Sequence, residues 1–404
     1  MTINDDDALI VSIARTPIGR ARKGGLVDVR ADELSRQVLT AVLERVPGVE
    51  TADIEDLMLG NLDPVGEQGF NMARVVSTLL GLEIPGTTVN RFCASSIQTT
   101  RMAFHAIRAG EGDVFLVGGT ESTSRSAPPV SAGNPAFAEP AKRTQAAMQT
   151  VELWHDPRED GLMPDAYIAM GHTAEYVGRL AGISREEQDE FAARSQRLAA
   201  QSQADGFFAR ESVPVVRPDG SVFDADDSLR PGTTVEALAA LDPVFSPVGT
   251  VTAGNACPLN DGASGALVVS GRYAKERGLV PIARIVSTSV TGISPEIMGL
   301  GPVDASKRAL ERAGLALSDI DIVELNEAFA AQVLASAKAL GIDIDRQLNP
   351  FGGAIAIGHP FGATGTRLLT TLLNGLRARD QTFGMATLCV GGGAGMAMVL
   401  ERLS

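Results

Sequence analysis

Three residues occupy settings in which a cysteine or a histidine could do chemistry, and the first of them is Cys93. It lies in the run VNRFCASS at positions 89–96, where an apolar stretch gives way to small residues and a helical pattern begins. Unpaired N–H groups and the dipole at the amino end of a helix favour the thiolate, which is the nucleophilic form of cysteine. We therefore expect a lowered pKa at Cys93; the alternative is a buried, inert cysteine.

His359 and Cys389 lie in two glycine-dense segments near the carboxyl end, GGAIAIGHPFGATG at 352–365 and LCVGGGAG at 388–395. Glycine lets the backbone approach a ligand closely, so these settings indicate a reaction that uses a nucleophile and proton carriers. His359 could instead cap a turn, and Cys389 could be a core thiol. The segment 391–395 has neither the GxxxxGK[ST] nor the GxGxxG spacing, which disfavours a nucleotide-binding loop.

Composition narrows the range of partners. The chain has 404 residues, of which 44% are hydrophobic and 21% charged, and its net charge is −14 at pH 7. This charge argues against nucleic acid and anionic membranes as partners, and an anionic substrate would need a few local basic groups. The three cysteines form neither a disulfide framework nor a zinc motif, and no apolar run approaches the length of a membrane span. We expect a cytoplasmic protein with no membrane insertion.

Short apolar or β-branched runs alternate along the chain with longer helical patterns, which predicts a layered α/β protein. Strand candidates include 8–13 and 384–389, and helix candidates include 95–109 and 364–378. The stretch 124–250 is richer in proline, glycine and acidic residues and interrupts this rhythm. Because a typical connection has only about 4–6 residues, we expect this stretch to form an inserted domain that binds substrate.

The two halves of the chain show the same order of patterns. The first runs through IEDLMLGNL, VNRFCASSIQTTRMAFHAIRAGEGD and VFLVGGTES, and the second through DIDIVELNEAF, LNPFGGAIAIGHPFGATGTRLLTTLLNGLRARDQ and MATLCVGGGAG. Each half gives a strand, a helix that starts at small residues, a charged turn and a strand ending in Gly-Gly. Chance could produce this order. A duplication would make the helix after Cys93 and the loop of His359 equivalent, and two-fold packing would bring them face to face.

Ten motifs occur together along nearly the whole chain: NRFCASSIQ, GGTES, MGHTAE, ISREEQDEFAARSQ, TVTAGNA, NDGA, MGLGPV, NEAFAAQ, GGAIAIGHPFGATG and CVGGGAG. In this order they resemble the thiolase family. The resemblance implies an α/β fold with two pseudo-equivalent α/β/α/β/α layered halves and an inserted loop domain. The implied domains are an amino-terminal half at 1–123 completed by 251–275, a loop domain at 124–250 for acyl-CoA binding and oligomer contacts, and a carboxyl-terminal half at 276–404.

By this resemblance, Cys93 would be the acylated nucleophile, and Cys389 the acid/base that moves a proton to or from the acetyl α-carbon. His359 would promote thiolate formation at Cys93 and donate a hydrogen bond to the thioester oxygen. Asn326 would hold the water that completes this first oxyanion hole, although an asparagine there could also cap the helix that follows. A second oxyanion hole would use the backbone N–H groups of Cys93 and Gly391.

The resemblance also implies a path for coenzyme A and the acyl group along six residues: Arg230, Ala253, Cys257, Met170, Met298 and Phe329. Arg230 would meet the nucleotide phosphates or adenine, and Ala253 and Cys257 would line the pantetheine tunnel. Cys257 stands where the family usually has a serine that bonds pantetheine, and a thiol is a weaker donor. The methionines and Phe329 would pack around the acyl and pantetheine portions, although methionine is more often a core residue.

The implied activity is acyl-CoA:acetyl-CoA C-acyltransfer, which is the reversible thiolysis of 3-ketoacyl-CoA by CoA or the condensation of acetyl-CoA. Coenzyme A and acyl-CoA would be substrates, with no covalently bound cofactor and no metal. A decarboxylating ketosynthase is an alternative, but those enzymes lack the second cysteine that Cys389 supplies. A non-catalytic lipid carrier is another, but such a protein would be expected to lose a reactive residue.

The resemblance further implies a homodimer or a homotetramer. The stretch 124–162, which contains Pro128 and Pro129, departs from the short biosynthetic-type pattern of the family. In the family this region shapes the acyl pocket and subunit association. The sequence therefore leaves both the acyl chain and tetramer formation open.

Overall fold

The structure is a computed structural model that describes residues 2–126 and 133–404. Pro128 and Pro129 lie outside the described residues. The strands are β1 Ala8–Arg15, β2 Gly19–Arg20, β3 Asp56–Gly60, β4 Gly86–Val89, β5 Val114–Ser122, β6 Val215–Val216, β7 Val222–Phe223, β8 Asn260–Ser270, β9 Ala283–Gly292, β10 Ile322–Leu325, β11 Phe383–Val390 and β12 Ala394–Arg402. The helices are α1 Ala31–Glu44, α2 Met72–Leu79, α3 Ser95–Ala109, α4 Ala138–Ala147, α5 Met170–Ala181, α6 Arg185–Ala204, α7 Val235–Ala239, α8 Gly271–Glu276, α9 Gly301–Ala313, α10 Ala330–Leu340, α11 Ala354–Ile357 and α12 Thr364–Ala378.

Ten strands of the described residues form one mixed sheet in the order β10-β11-β12-β9-β1-β8-β5-β3-β4, with β2 paired to β8. Within this sheet, the strands from β10 to β9 form one side and those from β1 to β4 form the other. The two sides pair only through a short antiparallel contact between β1 and β9, where Leu9 pairs with Arg284 and Ile10 with Ala283. Each side repeats one pattern: a parallel pair, β3-β5 or β10-β11, adjoins an antiparallel pair, β5-β8 or β11-β12. The repeat confirms that the two halves are pseudo-equivalent.

Alternate residues of the strands face two different cores, because successive side chains of a strand point to opposite faces. In β5, Val114 and Leu116 pack in an outer core with residues of α1 and α2, whereas Phe115 and Val117 pack in a central core with residues of α3 and α12. In the other half, Met385 packs outward with residues of α9 and α10. The two sides of the sheet therefore enclose the central helices between them. The layers are helix, one side of the sheet, central helices, the other side of the sheet and helix, as the α/β/α/β/α prediction requires.

The two central helices meet at their amino ends, which brings together the loops that precede them. In the first turn of α12, Thr366 donates its backbone N–H to Ser96 Oγ at 2.9 Å and its hydroxyl to the Ser96 carbonyl at 3.1 Å. Gly365 permits this approach, because a Cβ there would lie 2.3 Å from the backbone nitrogen of Ile97. The helix that follows Cys93 and the helix that follows the His359 loop thus face each other, as the repeated pattern predicts.

Residues 123–259 connect β5 to β8 and contain α4 to α7 and the small hairpin β6-β7. This insertion packs on the carboxyl-terminal half, with α5 against α10 and α6 against α11. Buried ion pairs of Arg15 with Glu211 at 2.7 Å and with Asp226 at 2.8 Å join it to β1. The domain boundaries given by the resemblance remain a proposal. In the described part of the chain, no helix is both long and apolar enough to span a membrane.

Candidate active site

Cys93 lies two residues before α3, in a tight turn that follows β4. Phe92 adopts a left-handed backbone with φ of 46°, which is unusual for a bulky side chain. Ser95 Oγ holds the turn, because it donates to the Phe92 carbonyl at 2.6 Å and accepts the Arg91 N–H at 2.9 Å. Asn90 Oδ1 accepts the Phe92 N–H at 2.9 Å. The backbone therefore stores strain directly before the thiol, and the turn determines where the thiol lies.

Burial raises the pKa of the Cys93 thiol to about 12. The charge of Glu121 acts in the same direction, whereas hydrogen bonds from the backbone N–H groups of Gly391 and of Cys93 itself lower this pKa. The expectation of a lowered pKa is therefore wrong, because desolvation disfavours the anion by more than the N–H groups favour it. Since the Gly391 N–H reaches the sulfur, Cys93 and the turn after β11 belong to one site.

The backbone of the turn between β11 and β12 lies next to Cys93. Gly392 and Gly393 have φ of 75° and 91°, which residues with a side chain rarely adopt. A Cβ at Gly393 would also lie 2.3 Å from the Ile293 carbonyl oxygen. At Gly391, a Cβ would meet the ring of Phe92 at 3.4 Å. Gly392 and Gly393 are thus required by the turn itself, and the turn brings the Gly391 N–H to the thiol.

Cys389 lies near the end of β11 and is 1% exposed. Burial raises the pKa of its thiol well above the ordinary value, and the charges of Cys93 and Cys257 act in the same direction. Burial likewise raises the pKa of Cys257, and Cys93 adds to this effect. The three sulfur groups therefore lie within electrostatic reach of one another, although they come from distant parts of the chain.

Met170, Met298 and Phe329 meet in one apolar group with Cys389. Phe245, which sequence reasoning missed, packs in the same group, and its ring contacts the Phe329 ring edge to face at a centroid distance of 6.1 Å. A single phenylalanine in the segment LDPVFSPVG has no periodic pattern around it, so the sequence offered no signal for this contact.

The His359 side chain is buried and lies within hydrogen-bond distance of a partner at each ring nitrogen. Nδ1 lies 2.6 Å from Thr364 Oγ1, and Nε2 lies 3.2 Å from Asn326 Nδ2. The Thr364 hydroxyl donates its single proton to the Pro360 carbonyl at 2.8 Å, so Nδ1 must be the donor and Nε2 carries the free electron pair. Burial, together with the positive charge of Arg367, lowers the pKa of His359 to about 3. The ring is therefore neutral at pH 7, and its unprotonated Nε2 accepts the Asn326 amide N–H.

Asn326 follows β10 directly, but the next helix, α10, begins only at Ala330. Phe329 is the N-cap residue of this helix, and it makes no side-chain cap hydrogen bond. The alternative that Asn326 caps the helix is therefore wrong. The Asn326 amide instead donates to His359 and accepts a hydrogen bond from Arg367 Nη2 at 3.2 Å.

Arg230 and Ala253 line one small cavity together with Arg20, Gln196 and Ser228. The Arg230 N–H donates to Gln196 Oε1 at 2.9 Å, which positions the loop that carries this arginine. Two basic groups, Arg20 and Arg230, therefore line this cavity.

Cys257 is not part of the lining of that cavity. Its N–H donates to the Ala328 carbonyl at 3.0 Å, and the neighbouring Ala256 forms an isolated β-bridge with Phe329. Cys257 therefore lies near Cys93 and near the apolar group that contains Phe329 and Cys389. The six residues predicted to bind coenzyme A thus fall into two neighbouring sets, with Arg230 and Ala253 in one and the remaining four in the other.

Glu121 is a second residue that sequence reasoning missed. It accepts the backbone N–H groups of Leu62 at 2.9 Å, Asp63 at 3.1 Å and Gly362 at 2.8 Å. Burial raises its pKa to about 7. The carboxyl group therefore joins the loop after β3 to the loop that carries His359. The available signal was an acidic residue at the end of an otherwise apolar strand.

Two thiols, a neutral imidazole and converging backbone N–H groups thus lie where the two halves meet, an arrangement suited to acyl transfer through sulfur. Among residues 2–126 and 133–404, no three histidine, cysteine or acidic side chains come together as metal ligands. The chain belongs to the thiolase family, a family of acyltransferases. The model of the thiolase N-terminal domain matches residues 8–272, and that of the thiolase C-terminal domain matches residues 279–402.

Similar proteins cover essentially the whole chain. The 3-ketoacyl-CoA thiolase of Marinomonas sp. (strain MWYL1) is 45% identical over 412 residues, with 100% of both chains covered. The 3-ketoacyl-CoA thiolase of Aeromonas hydrophila is 44% identical over an alignment of 406 positions that covers 98% of this chain and 100% of the relative.

Solved structures of thiolases share the fold. The acetyl-CoA acetyltransferase of Bacillus anthracis matches with a TM-score of 0.86 and 37% identity, over 98% of this chain and 99% of that one. The dimeric peroxisomal thiolase of Saccharomyces cerevisiae matches with a TM-score of 0.87 and 34% identity, over 100% and 99% of the two chains. These matches confirm the predicted thiolase fold.

Proposed function

We propose that the chain catalyses reversible acyl transfer in which acyl-CoA and acetyl-CoA interconvert with CoA and 3-ketoacyl-CoA. The observation that carries the proposal is the convergence of Cys93, the Gly391 N–H and Cys389 at one site, where the amino ends of α3 and α12 meet. The relatives named 3-ketoacyl-CoA thiolase support 3-ketoacyl-CoA as the substrate class.

In the thiolysis direction, Cys93 Sγ transfers its proton to His359 Nε2 and attacks the 3-keto carbon of the substrate. The bond between this carbon and the α-carbon then breaks, and its electron pair moves into the enolate of acetyl-CoA. The Cys389 thiol gives its proton to the α-carbon, which releases acetyl-CoA. The products on the protein are an acyl thioester at Cys93, a thiolate at Cys389 and a protonated His359.

The second half of the reaction restores these groups. The thiol of CoA gives its proton to Cys389 and attacks the carbonyl carbon of the acyl-Cys93 thioester. Cys93 leaves as the thiolate and recovers its proton from His359, so acyl-CoA departs and every group returns to its starting state. Condensation is the same sequence in reverse.

The raised pKa of Cys389 supports its role as the acid, whereas the pKa values of Cys93 and His359, about 12 and about 3, oppose proton transfer between them before the sulfur attacks the substrate. A thiol whose pKa is raised by burial, such as Cys389, stays protonated at pH 7 and is ready to protonate a carbanion. Charge that develops on the two carbonyl oxygens needs donors that are already in place. One set would be protonated His359 with a water held by Asn326, and the other the N–H groups of Cys93 and Gly391; removing one such donor typically costs about 10²–10³ in rate.

Cys389 also separates this function from its alternatives. A decarboxylating ketosynthase does not need a second thiol at the α-carbon, and a non-catalytic lipid carrier does not need both cysteines with His359. We further propose a homodimer, by analogy with the dimeric yeast thiolase, and a cytoplasmic location, which suits three free cysteines. Arg230, Ala253, Cys257, Met170, Met298 and Phe329 remain the proposed coenzyme A and acyl contacts.

Acyl-enzyme trapping combined with isotope exchange tests the proposal. Wild-type protein incubated with acetyl-CoA should gain one acetyl group on the peptide that contains Cys93, and should exchange the acetyl α-hydrogens for deuterium in D₂O. Cys93→Ala should lose the acetylation. Cys389→Ala should retain it but lose the exchange. Acetylation of Cys93→Ala, or exchange in Cys389→Ala, would contradict the assigned roles, and a panel of 3-ketoacyl-CoA substrates would define the acyl chain.

A further inference from the structure

Arg367 is a buried arginine one turn into α12, and the mechanism described so far gives it no task. It is 1% exposed, and it belongs to a helix whose other inward residues are mostly leucine and threonine. Its Nη2 donates to Asn326 Oδ1 at 3.2 Å, and its Nη1 lies 3.9 Å from Glu324 Oε2. A fully buried charge is costly unless it is paired and hydrogen-bonded, so its presence calls for a physical reason.

The first reason is the orientation of the Asn326 amide. A guanidinium group has only donors, so Asn326 must present its oxygen to Arg367. The other end of the amide, Nδ2, then faces His359 Nε2 at 3.2 Å and donates to it. If the amide turned over, its oxygen would face Nε2 and would favour a proton on that nitrogen. Arg367 therefore reinforces, through Asn326, the tautomer that Thr364 sets at Nδ1.

The second reason is charge. The pairing of Arg367 with Glu324 is loose, because within the described residues neither Glu324 oxygen nor Arg367 Nε and Nη1 has a hydrogen-bond partner. Burial raises the pKa of Glu324 to about 8, which weakens its ability to neutralise Arg367. The other charged groups that act on Arg367 are Glu211, Glu327 and Arg15. Among the described residues Arg367 thus has no hydrogen-bonded carboxylate partner, and its charge opposes a positive charge on His359.

We propose that Arg367 is a positioning residue: its hydrogen bond orients the Asn326 amide so that Nδ2 faces His359 Nε2, and its charge keeps that nitrogen unprotonated in the resting protein. The later transfer of a proton from Cys93 to this nitrogen, in place of the Asn326 hydrogen bond, rests on the proposed function. The tautomer and the titration of His359 do not, and both can be measured without substrate.

Two matched variants separate positioning from packing, since Arg367→Gln and Glu324→Gln break the same buried pair. Histidine labelled with ¹⁵N reports the tautomer and the protonation of each ring, and the four histidines of the chain can be assigned with His359→Gln. Wild-type His359 should be protonated at Nδ1 and should remain neutral throughout the pH range in which the protein is folded. In Arg367→Gln, the titration of His359 should move to higher pH. In Glu324→Gln it should not.

Kinetics give the second measurement. Arg367→Gln should lower kcat by about 10–100-fold, the loss typical when a residue that orients a functional histidine is removed, with little change in KM. The acidic limb of its pH–rate profile should move to higher pH, and the rate of Cys93 alkylation by iodoacetamide should follow the same limb. Glu324→Gln should leave that limb where it is in wild type.

Several results would overturn the proposal. One such result needs no variant: if wild-type His359 carried its proton on Nε2, the proposal would be wrong. This measurement therefore decides the matter even if the variants fail to fold. Equal losses of activity in both variants, with an unchanged His359 titration, would show that Arg367 acts through packing alone. Failure of the wild-type protein to transfer acyl groups would instead contradict the proposed function, and the ¹⁵N measurement would still decide the role of Arg367.

Discussion

The two halves of the chain have the same order of strands and helices, yet their corresponding loops hold different chemical groups. In the amino-terminal half, a short turn leads from β4 to α3 and places Cys93 two residues before the helix. In the carboxyl-terminal half, a longer glycine-rich segment with α11 leads to α12 and places His359 five residues before the helix. The duplicated frame therefore brings two loops together, and their different lengths decide that one presents a thiol and the other an imidazole.

The ends of the corresponding strands β5 and β11 differ in the same way. Near the end of β5, Glu121 is buried among backbone N–H groups, which its carboxyl group accepts. Near the end of β11, Cys389 is buried among methionine and phenylalanine side chains. The first group joins loops, and we propose that the second transfers a proton. Both side chains are 1% exposed, so it is the polar partners of Glu121, and not a difference in burial, that distinguish the two strand ends.

The largest expected effect is loss of the nucleophile from the amino-terminal half. Cys93→Ala should lower the rate of thiolysis by at least about 10³-fold, because the covalent route is lost. The matched control is Cys257→Ser, which changes a neighbouring sulfur and should cost less than about tenfold, since a hydroxyl can replace its weak hydrogen bond. The steady-state rate with 3-ketoacyl-CoA measures both. An acyl group found on Cys257 would overturn the assignment.

Loss of a donor from the carboxyl-terminal half should be the next largest effect. Asn326→Ala should lower kcat by about 10²–10³-fold, as expected when an oxyanion-hole donor is removed. Asn374→Ala serves as the control, because Asn374 lies on α12 but bonds to the Phe207 carbonyl at 2.9 Å, away from the site. Its kcat should match that of wild type. Equal activity of the two variants would mean that Asn326 takes no part in catalysis.

The contact between the halves can be tested by stability. Gly365→Ala should lower the free energy of unfolding by about 1–3 kcal/mol, because its Cβ would overlap the backbone of Ile97. Gly292→Ala is the matched control; a Cβ there has no atom within 4 Å, so its effect should stay within about 0.5 kcal/mol. Thermal melting compares the two. If both variants melted with wild type, the amino ends of α3 and α12 would not be as close as described.

A smaller effect concerns the pH dependence of stability. The pKa of His359 is lowered to about 3 in the folded protein, so the unfolded chain binds the proton more tightly and the folded state loses stability as the pH falls below about 6.5. Between pH 7 and pH 5 this group should cost wild type about 2 kcal/mol that His359→Gln does not lose. Denaturant unfolding at the two pH values measures the difference. Glu121, whose pKa is raised to about 7, acts in the opposite direction in both proteins, so its contribution cancels in the comparison.

Much of the frame could be predicted from the sequence, because its patterns are local. The predicted helices at 95–109 and 364–378 agree with α3 and α12 at both ends, since small residues begin them and charged turns follow them. The predicted strand at 8–13 is two residues shorter than β1, whose last residue, Arg15, is polar but buried by its pairing with Glu211. The end of a strand cannot be predicted from its local pattern when its last residue is polar and is buried by a partner that is distant in sequence.

Parts of the site could not be predicted for the same reason. Arg367 reads as an ordinary charge within TGTRLLTT, and Glu121 as a polar strand end; their burial and their partners depend on segments that are far away in the chain. Phe245 has no pattern around it, yet it packs beside Cys389. Each of these residues acquires its surroundings only when the insertion and the two halves come together.

The sequence by itself determined the family, the repeated order of elements and the residue types that could do chemistry, because each is encoded in short motifs and local periodicity. Only the tertiary structure decided the ionisation of the groups. The helix end near Cys93 favours a thiolate locally, but burial raises its pKa to about 12, and burial beside Arg367 lowers the pKa of His359 to about 3. Desolvation and charge act through space, and so they depend on which distant segments surround a group.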